Sequence, residues 1–295
     1  HRKEEKVPFD LDYLNKITKG GLPNKTLNIA LAGTGVGKSL FMCHVASSCL
    51  LQGRNVLYIT CEMAEEKIAE RIDANLLDIP IQQLQDPLLT KQKYRAKIDV
   101  LKKKTQGKLV IKEYPTASAH VGHFKALLNE LSLKKGFHPE IIFVDYLNIC
   151  ASSRYKGTIV NSYTYVKAIA EELRGLAGEY NVPILSATQT TRSGYGNSNV
   201  EITDTSESFG LPATADLMFA LISTEDMEEL NQIMVKQLKN RYNDPTVYKR
   251  FVLGIDRQKM RLYDCEQGAQ DNIIDAGDAP KSFTDTKKSF EGFKI

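Results

Sequence analysis

The segment Ala32-Gly33-Thr34-Gly35-Val36-Gly37-Lys38-Ser39 follows the apolar run Leu27–Leu31 and precedes Leu40-Phe41-Met42, which is apolar again. An apolar run, a glycine-rich turn and a second apolar segment predict a buried strand, a loop and a helix. Glycines let the backbone turn so tightly that successive N–H groups point inward, and the helix start adds the positive end of its dipole. We therefore expect a phosphate-binding loop whose nucleotide contacts are Gly33, Thr34, Gly35, Val36, Gly37, Lys38, Ser39 and Leu40.

Two side chains of this loop have separate expected roles. Lys38 would reach the β- and γ-phosphates of a nucleoside triphosphate as a catalytic residue, and Ser39 would bind Mg²⁺. The usual pattern is G-x-x-x-x-G-K-[ST], and Ala32 stands at its first position, where only the small size is kept. A glycine-rich surface turn with an exposed Lys-Ser pair is the alternative, but the strand–loop–helix context favours the nucleotide site.

The composition narrows the class of protein. The 295 residues, 42% hydrophobic and 25% charged, predict an ordinary globular chain, and a net charge of +3 is too small to indicate a nucleic-acid surface by itself. The five cysteines have no C-x-x-C spacing, so we expect buried thiols in a reducing compartment. No apolar run approaches the roughly 18 residues that span a bilayer, and the N-terminus does not resemble a signal peptide. These features predict a cytoplasmic protein with no membrane partner.

Apolar, β-branched runs alternate with helix-like segments along most of the chain. Strands are expected at 27–32, 56–60, 109–113, 141–145, 184–188 and 217–222, and helices at 39–52, 63–77, 91–104, 124–135 and 163–180. This rhythm is typical of βαβ units, so we predict an α/β fold with a mostly parallel central sheet flanked by helices. Strands at 234–239, 249–255 and 259–264, separated by turns, predict an antiparallel edge at the C-terminal end.

Three strand ends carry polar side chains suited to phosphoryl transfer. Asp145 ends the apolar run 141–144 and would hold Mg²⁺ through its water shell. Glu62 follows the strand 56–60, which we expect beside the first strand, and would position water; stabilising the start of the next helix is its alternative role. Gln189 ends the strand 184–188 with a neutral amide that can contact a γ-phosphate.

Polar segments after two of these strands are candidate contacts to nucleic acid. Residues 152–157 follow the Asp145 strand, and residues 190–208 follow Gln189. Two such loops, leaving adjacent strands near the nucleotide, could transmit its state to a bound polymer. Arg154, Lys156 and Arg192 are candidate phosphate contacts, with a solvated surface charge as the alternative for each.

A pair of cations lies far along the chain from the phosphate-binding loop. Lys239 and Arg241 end a predicted strand before the turn Asn243-Asp244-Pro245. On an edge strand, such a pair would suit the active site of a neighbouring subunit. Solubilising charges on an exposed sheet edge are the alternative.

Several motifs occur in a fixed order over residues 9–264. Besides the phosphate-binding loop, they are Phe9-Asp10-Leu11-Asp12-Tyr13-Leu14, Gly20-Gly21-Leu22, Cys61-Glu62-Met63, Val144-Asp145-Tyr146-Leu147, Asn181-Val182-Pro183-Ile184, Thr188-Gln189 and Lys239-Asn240-Arg241-Tyr242-Asn243-Asp244-Pro245. In order and spacing the set resembles the RecA-type ATPase domain of DnaB-family hexameric replicative helicases. The resemblance implies a RecA-like P-loop fold.

The resemblance also implies a role for each candidate site residue. Glu62 matches the catalytic carboxylate, Asp145 the magnesium aspartate and Gln189 the γ-phosphate amide. Lys239 and Arg241 match a catalytic pair that the adjacent subunit supplies in trans.

The second DNA-binding element of the family departs from its usual pattern. The family carries Arg-Glu-Ser-Gly, whereas Ser206-Glu207-Ser208-Phe209 occupies that place here. The resemblance therefore implies DNA contacts at Glu207 and Ser208, whereas the phosphate contact that the family's arginine makes is not expected from Ser206.

Taken with the motifs, the resemblance implies a replicative DNA helicase motor. Such a protein forms a homo-hexamer, hydrolyses ATP or another NTP with Mg²⁺ at its subunit interfaces, and moves 5′ to 3′ on single-stranded DNA to unwind duplex at the replication fork. A RecA-like recombinase filament and a nucleotide-switched assembly protein without unwinding activity are the alternatives. If the chain is encoded by a bacteriophage, its compartment would be the cytoplasm of the bacterial host.

The expected organisation is a linker remnant at 1–8, the ATPase domain at 9–265 and a flexible tail at 266–295. Relatives carry an N-terminal domain and a linker helix that are not recognisable here, and the chain begins with His1, so we expect a fragment whose hexamer is weakened. The tail spaces Phe283, Phe290 and Phe293 among charges and could dock a primase, helicase loader or polymerase, with a disordered terminus as the alternative.

Overall fold

The computed structural model describes residues 4–86, 91–104, 107–157, 160–189 and 210–271. Its strands are β1 (Lys6–Val7), β2 (Leu22–Pro23), β3 (Leu27–Ala32), β4 (Val56–Thr60), β5 (Leu109–Glu113), β6 (Ile141–Asp145), β7 (Ile184–Gln189), β8 (Leu217–Ile222), β9 (Gln232–Asn240), β10 (Arg250–Asp256) and β11 (Arg261–Asp264). Its α-helices are α1 (Asp12–Thr18), α2 (Lys38–Leu51), α3 (Glu65–Leu77), α4 (Ile81–Leu84), α5 (Lys91–Lys104), α6 (Val121–Lys135), α7 (Ser162–Tyr180), α8 (Gly210–Thr214), α9 (Glu225–Glu229) and α10 (Gln267–Asp271).

A nine-stranded sheet forms the centre of the described part of the chain, in the order β11-β10-β9-β8-β3-β7-β6-β4-β5. The strands from β8 to β5 in that order are all parallel. The pairs β8–β9, β9–β10 and β10–β11 are antiparallel. Because parallel strands end at a common edge, the segments after β3, β4, β6 and β7 open at one side of the molecule, where α/β proteins bind their ligands.

Apolar side chains cover both faces of the sheet. One layer packs α1, α2 and α3 against residues such as Ala30, Tyr58 and Phe143. The other packs α6 and α7 against alternate residues of the same strands, including Ile29, Leu57 and Val144. The period of two along each strand therefore sends successive side chains into two different cores, which is why these strands read as continuous apolar runs.

The expected α/β class, the mostly parallel sheet and the antiparallel C-terminal end are confirmed. Two expectations about strand order are wrong. The Glu62 strand, β4, does not lie beside β3, because β7 and β6 lie between them. Crossover helices can skip positions in a parallel sheet, so neighbours in sequence need not be neighbours in space.

The strand that carries the cation pair, β9, is not an edge strand, since β8 and β10 flank it. Its pairing with β10 stops at Lys236 opposite Arg250, however, so the last ladder residues before Arg241 pair with β8. The cation pair therefore lies at the end of an internal strand, beyond the residues that pair with β10.

A short helix, α10, lies just beyond the expected domain boundary at 265. Helix α10 continues to Asp271, and Gln270 exchanges hydrogen bonds of 2.8 Å with the backbone of Val252 on β10. The rest of the expected tail, 272–295, lies outside the described residues, as do residues 1–3 of the expected linker. Within the described part of the chain, no helix combines the length and apolar character that a bilayer crossing needs.

Candidate functional site

The loop between β3 and α2 has the backbone form that phosphate binding requires. Gly35 and Gly37 have φ angles of 75° and 132°, in a region that residues other than glycine rarely adopt. Gly37 is the N-cap residue of α2, and no side chain caps that helix start. The first N–H groups of a 14-residue helix are thus directed toward the pocket, together with the positive end of its dipole.

A buried carboxylate lies beside this helix start. The Ser39 hydroxyl donates to Asp145 Oδ2 at 2.9 Å, and the Tyr58 hydroxyl donates to the same oxygen at 2.8 Å. Asp145 is fully buried, and its Oδ1 has no hydrogen-bond partner among the described residues. Burial raises the pKa of the Asp145 carboxyl, while Lys38 and the two hydroxyl donors oppose that rise.

This donor set fits a magnesium ion. A carboxylate with one unpaired oxygen and an adjacent serine hydroxyl are the oxygen ligands that Mg²⁺ prefers, and the ion usually keeps waters and substrate phosphates as its other ligands. Ser39 and Asp145 are therefore brought together as the sequence predicts.

The ammonium group of Lys38 lies between a carboxylate and an aromatic ring. Its Nζ is 3.5 Å from Glu62 Oε2 and 3.2 Å from the centroid of the Tyr146 ring. Burial lowers the pKa of Lys38, and the charges of Asp145 and Glu62 act in the opposite direction. Glu62 itself is 49% exposed at the turn between β4 and α3, so its carboxylate can meet water.

The amide of Gln189 contacts the loop directly. Gln189 pairs in register with Ala32 across β7 and β3, and its Nε2 donates to the Thr34 hydroxyl. This position at the sheet edge beside the phosphate-binding loop is where a side chain can respond to a terminal phosphate. The adjacent strands β6 and β7 thus carry Asp145 and Gln189 to the same edge, as expected.

A cavity of about 360 Å³ connects these groups. Its lining also includes two arginines that local sequence patterns do not predict. Arg71 lies on α3, and Arg257, on the turn between β10 and β11, donates from Nη2 to the Val36 carbonyl at 3.0 Å. An arginine 221 residues from its partner leaves no signal in local sequence spacing. The cavity is lined by Gly33, Thr34, Gly35, Gly37, Lys38, Ser39, Leu40, Glu62, Met63, Arg71, Gln189, Arg257 and Met260.

Lys239 and Arg241 lie at the edge of the sheet where the parallel strands begin, whereas the phosphate-binding loop lies at the opposite edge, where these strands end. β9 runs antiparallel to β8, so Asn240 pairs with Leu217 at the beginning of β8, and β8 is parallel to β3. The length of β3 alone separates the two edges by about 17 Å, at about 3.3 Å per residue. Within one chain, these cations therefore lie too far from Lys38 to contact a phosphate bound there.

The side chains around this cation pair alternate in direction. Asn240 donates to the Ile17 carbonyl at 2.8 Å, and the Tyr242 hydroxyl donates to Asn28 Oδ1 at 2.6 Å. The Lys239 ammonium donates to the Pro212 carbonyl, and Arg241 forms an ion pair with Asp216 at 3.0 Å. Burial lowers the pKa of Lys239, and the nearby Arg241 charge adds to that effect.

The candidate DNA contacts are only partly described. Arg154 forms a hydrogen-bonded ion pair with Glu171 on α7 and lines the same cavity as Arg241. Lys156 is exposed. Arg192, Glu207 and Ser208 lie outside the described residues. The DNA-binding roles of all five residues stay predictions.

The phosphate-binding loop, the buried Asp145 and the mostly parallel sheet define a P-loop protein of the nucleoside-triphosphate-binding class. A comparison with known families adds the second step. Residues 7–250 match the model of the DnaB-like helicase C-terminal domain. The chain therefore belongs to that family, and its fold is RecA-like.

Individual relatives agree with this assignment. The chain is 47% identical to the DnaB-like replicative helicase of Enterobacteria phage T4 over 90% of its own length and 56% of the relative. It is 25% identical to the replicative DNA helicase DnaB of Helicobacter pylori strain 26695 over 73% of its own length and 43% of the relative. The chain thus spans about half the length of the curated relatives it matches.

Solved structures with low sequence identity share the fold. A structure described as an ATPase domain superposes with a TM-score of 0.74 at 18% identity, covering 89% of this chain and 92% of that domain. A DnaB-like replicative helicase, whose structure was described together with its interactions with primase, gives a TM-score of 0.73 at 17% identity. That match covers 89% of this chain and 62% of the other.

Proposed function

We propose that the chain is the motor domain of a replicative DNA helicase that hydrolyses ATP or another NTP at the subunit interfaces of a homo-hexamer. One observation carries the proposal: a single sheet bears the phosphate-binding loop at one edge and the Lys239–Arg241 pair at the other. A head-to-tail ring joins these edges between neighbours, because each subunit uses two different surfaces in a heterologous contact. Each active site is then complete only in the assembly.

The residues of one site divide the chemical work. Backbone N–H groups of the loop and Lys38 bind the phosphates, and Ser39 and Asp145 would hold Mg²⁺, which supplies charge neutralisation at the β- and γ-phosphate oxygens. Glu62 Oε2 accepts a hydrogen bond from the attacking water and takes its proton as the water oxygen bonds to the γ-phosphorus and the bond to the β-phosphate oxygen breaks. Arg241 and Lys239 of the neighbour neutralise the charge that develops on the transferred group.

The link to DNA rests on the two segments that follow β6 and β7. Arg154 and Lys156 belong to the first, and Arg192, Glu207 and Ser208 to the second. Because Gln189 contacts Thr34 of the phosphate-binding loop and directly precedes the second segment, a change at the γ-phosphate has a short covalent route to DNA. We infer translocation 5′ to 3′ on single-stranded DNA from membership of the helicase family.

Partners and location follow from the relatives. A DnaB-like helicase of the same fold was described with primase, which makes primase the first partner to test, with a helicase loader or polymerase as further candidates through residues 266–295. The 47% identity to a phage helicase makes the cytoplasm of a bacterial host the proposed compartment.

ATP turnover over a range of protein concentrations, with and without single-stranded DNA and Mg²⁺, tests the proposal. Lys38→Ala serves as the blank. We expect turnover per subunit to rise cooperatively with concentration and to increase with DNA. Turnover that depends on neither concentration nor DNA would contradict a ring motor and favour a nucleotide-switched assembly protein. Electron micrographs of helical filaments instead of rings would favour a recombinase.

A further inference from the structure

A buried carboxylate connects three elements at the edge of the sheet that carries Arg241. Asp216 precedes β8, and its side chain is only 6% exposed. Its Oδ2 accepts from the Leu27 backbone N–H at 2.9 Å, at the start of β3. Arg174 on α7 donates to both carboxylate oxygens, at 3.2 Å from Nε and 3.1 Å from Nη2. These hydrogen bonds fix Asp216 to the sheet and to α7 independently of Arg241.

Arg241 is attached to this fixed point in two ways. Its Nη1 donates to Asp216 Oδ1 at 3.0 Å, and its backbone N–H donates to the Asp216 carbonyl at 2.9 Å. A further bond of 3.2 Å runs from Nη2 to the Ala213 carbonyl. A guanidinium held by a carboxylate and a carbonyl loses most of its rotational freedom, whereas an unattached arginine samples many rotamers.

The exposed side of Arg241 faces an open cavity. The side chain is 44% exposed, and the cavity, of about 420 Å³, is lined by Arg154, Glu171, Arg174, Gly175, Ala213, Thr214 and Arg241. One edge of the guanidinium is thus held by the protein, and the remaining part is available to a group brought by another subunit.

Charge decides whether this ion pair helps or hinders Arg241. A lone carboxylate would cancel the arginine charge that a phosphate must meet. Asp216, however, is shared: Arg174 pairs with it at 3.1 Å and Arg241 at 3.0 Å, so that two guanidinium cations face one carboxylate. The group of three keeps a net positive charge, and Arg241 stays both oriented and able to attract a phosphate.

We propose that Asp216 and Arg174 are positioning residues that orient Arg241 toward the nucleotide of the neighbouring subunit. This inference rests on the proposed function, because it takes the trans role of Arg241 as its starting point. In this role Asp216 and Arg174 act through Arg241, because they set the direction of the side chain that contacts the nucleotide. Misplacing a catalytic group by about 1 Å can cost on the order of a hundredfold in rate.

The test is a double-mutant cycle with Asp216→Asn and Arg241→Ala, read as kcat and KM for ATP in the assembled protein with single-stranded DNA. We expect Asp216→Asn to lower kcat by about tenfold to a hundredfold and to change KM and nucleotide binding by dilute subunits less than about twofold. In the Arg241→Ala background, Asp216→Asn should lower kcat no further, because the side chain that it orients is gone.

A second carboxylate with two cationic partners provides the matched control. Asp78 lies 3.0 Å from Arg261 and 3.2 Å from Lys259, but it is exposed and follows the last residue of α3. Asp78→Asn and Arg261→Ala should leave kcat within about twofold. If Asp216→Asn does not fold, Arg174→Gln tests the same inference: it should lower kcat severalfold, and Arg174→Lys should restore most of the loss because the second cation returns.

The outcomes separate this inference from the proposed function. Normal turnover by Arg241→Ala would overturn the trans role and this inference with it. A slow Arg241→Ala beside a normal Asp216→Asn, or beside a normal Arg174→Gln where Asp216→Asn does not fold, would overturn only the positioning role. A further loss of kcat when Asp216→Asn is added to Arg241→Ala would also overturn it, because a merely structural role adds its effect in either background.

Discussion

The two edges of the central sheet are built in different ways. At the edge where the parallel strands end, most of the site comes from one stretch of backbone, residues 33–40, and the remaining side chains stand at the ends of neighbouring strands. At the opposite edge, Arg241 owes its position to Asp216, 25 residues away, and Asp216 in turn to Arg174, 42 residues away. The proposed phosphate binding is therefore a local property of the chain, whereas the proposed delivery of Arg241 in trans depends on long-range packing.

This difference predicts that changes at the two edges fail in different steps. Changes at the loop edge remove nucleotide binding or the chemical step within the same subunit. Changes at the arginine edge leave binding intact and fail only in the neighbour.

The largest effect is expected for two variants, each of which removes the key cation at one of the two edges. Lys38→Ala should lose nucleotide binding and turnover, and Arg241→Ala should keep binding and lose roughly a thousandfold in turnover, the usual cost of a missing arginine finger. Basal ATP turnover without DNA should then be higher in a mixture of the two variants than in either alone. The reason is that some interfaces of a mixed ring place the intact Arg241 of a Lys38→Ala subunit beside the intact phosphate-binding loop of an Arg241→Ala subunit.

Mixtures that never exceed the separate variants at any ratio would contradict shared sites. Wild-type protein mixed with Arg261→Ala is the control, since Arg261 forms a similar ion pair outside the proposed site.

A smaller effect is expected for Glu62→Gln. The variant keeps the size of the side chain near Lys38 but cannot take a proton, so turnover should fall about a hundredfold or more while nucleotide binding stays close to wild type. Glu66→Gln, in the first turn of α3, is the matched control for a role at the helix start. Equal, small losses for both variants in steady-state assays would support the helix-start role and remove Glu62 from the mechanism.

The smallest effect concerns stability and pH at Asp145. Burial raises the pKa of this carboxyl in the folded chain. The folded state then binds more protons than the unfolded state between the ordinary and the raised pKa, so this group stabilises the fold at low pH and that contribution is lost as pH rises. Without metal and nucleotide, Asp145→Asn should therefore melt about 2 to 5 °C above wild type near pH 8, because it removes a buried charge.

That difference should shrink as the pH falls through the raised pKa of the folded Asp145 carboxyl toward the ordinary pKa of aspartate, because the wild-type carboxyl then becomes protonated. Addition of Mg²⁺ with ATP should raise the melting temperature of the wild type more than that of Asp145→Asn. A wild type that melts above Asp145→Asn at every pH without metal would contradict the expected cost of the buried charge. Scanning calorimetry over a pH series provides the measurement.

Several parts of this molecule could be predicted from local sequence because their cause is local. The phosphate-binding loop follows from glycines that tolerate positive φ and from the helix that starts beside it. The buried strands follow from apolar runs, since both faces of a parallel sheet are covered. Asp145 and Gln189 reach the same edge as the loop because parallel strands share a direction.

Other parts were decided by how the strands and helices pack. In the observed strand order, β7 and β6 lie between β3 and β4, and β9 lies between β8 and β10. A crossover of about ten or more residues can reach several positions in the sheet, so the local sequence does not determine which strands are neighbours. The Tyr58 hydroxyl on Asp145, the Tyr146 ring beside Lys38 and the Arg257 contact to the loop depend on that order. So does the group formed by Asp216, Arg174 and Arg241. Local sequence thus determines which chemistry each strand end carries, and only the tertiary fold determines which side chains meet, because charges and hydrogen bonds act through space over a few ångströms whatever their separation along the chain.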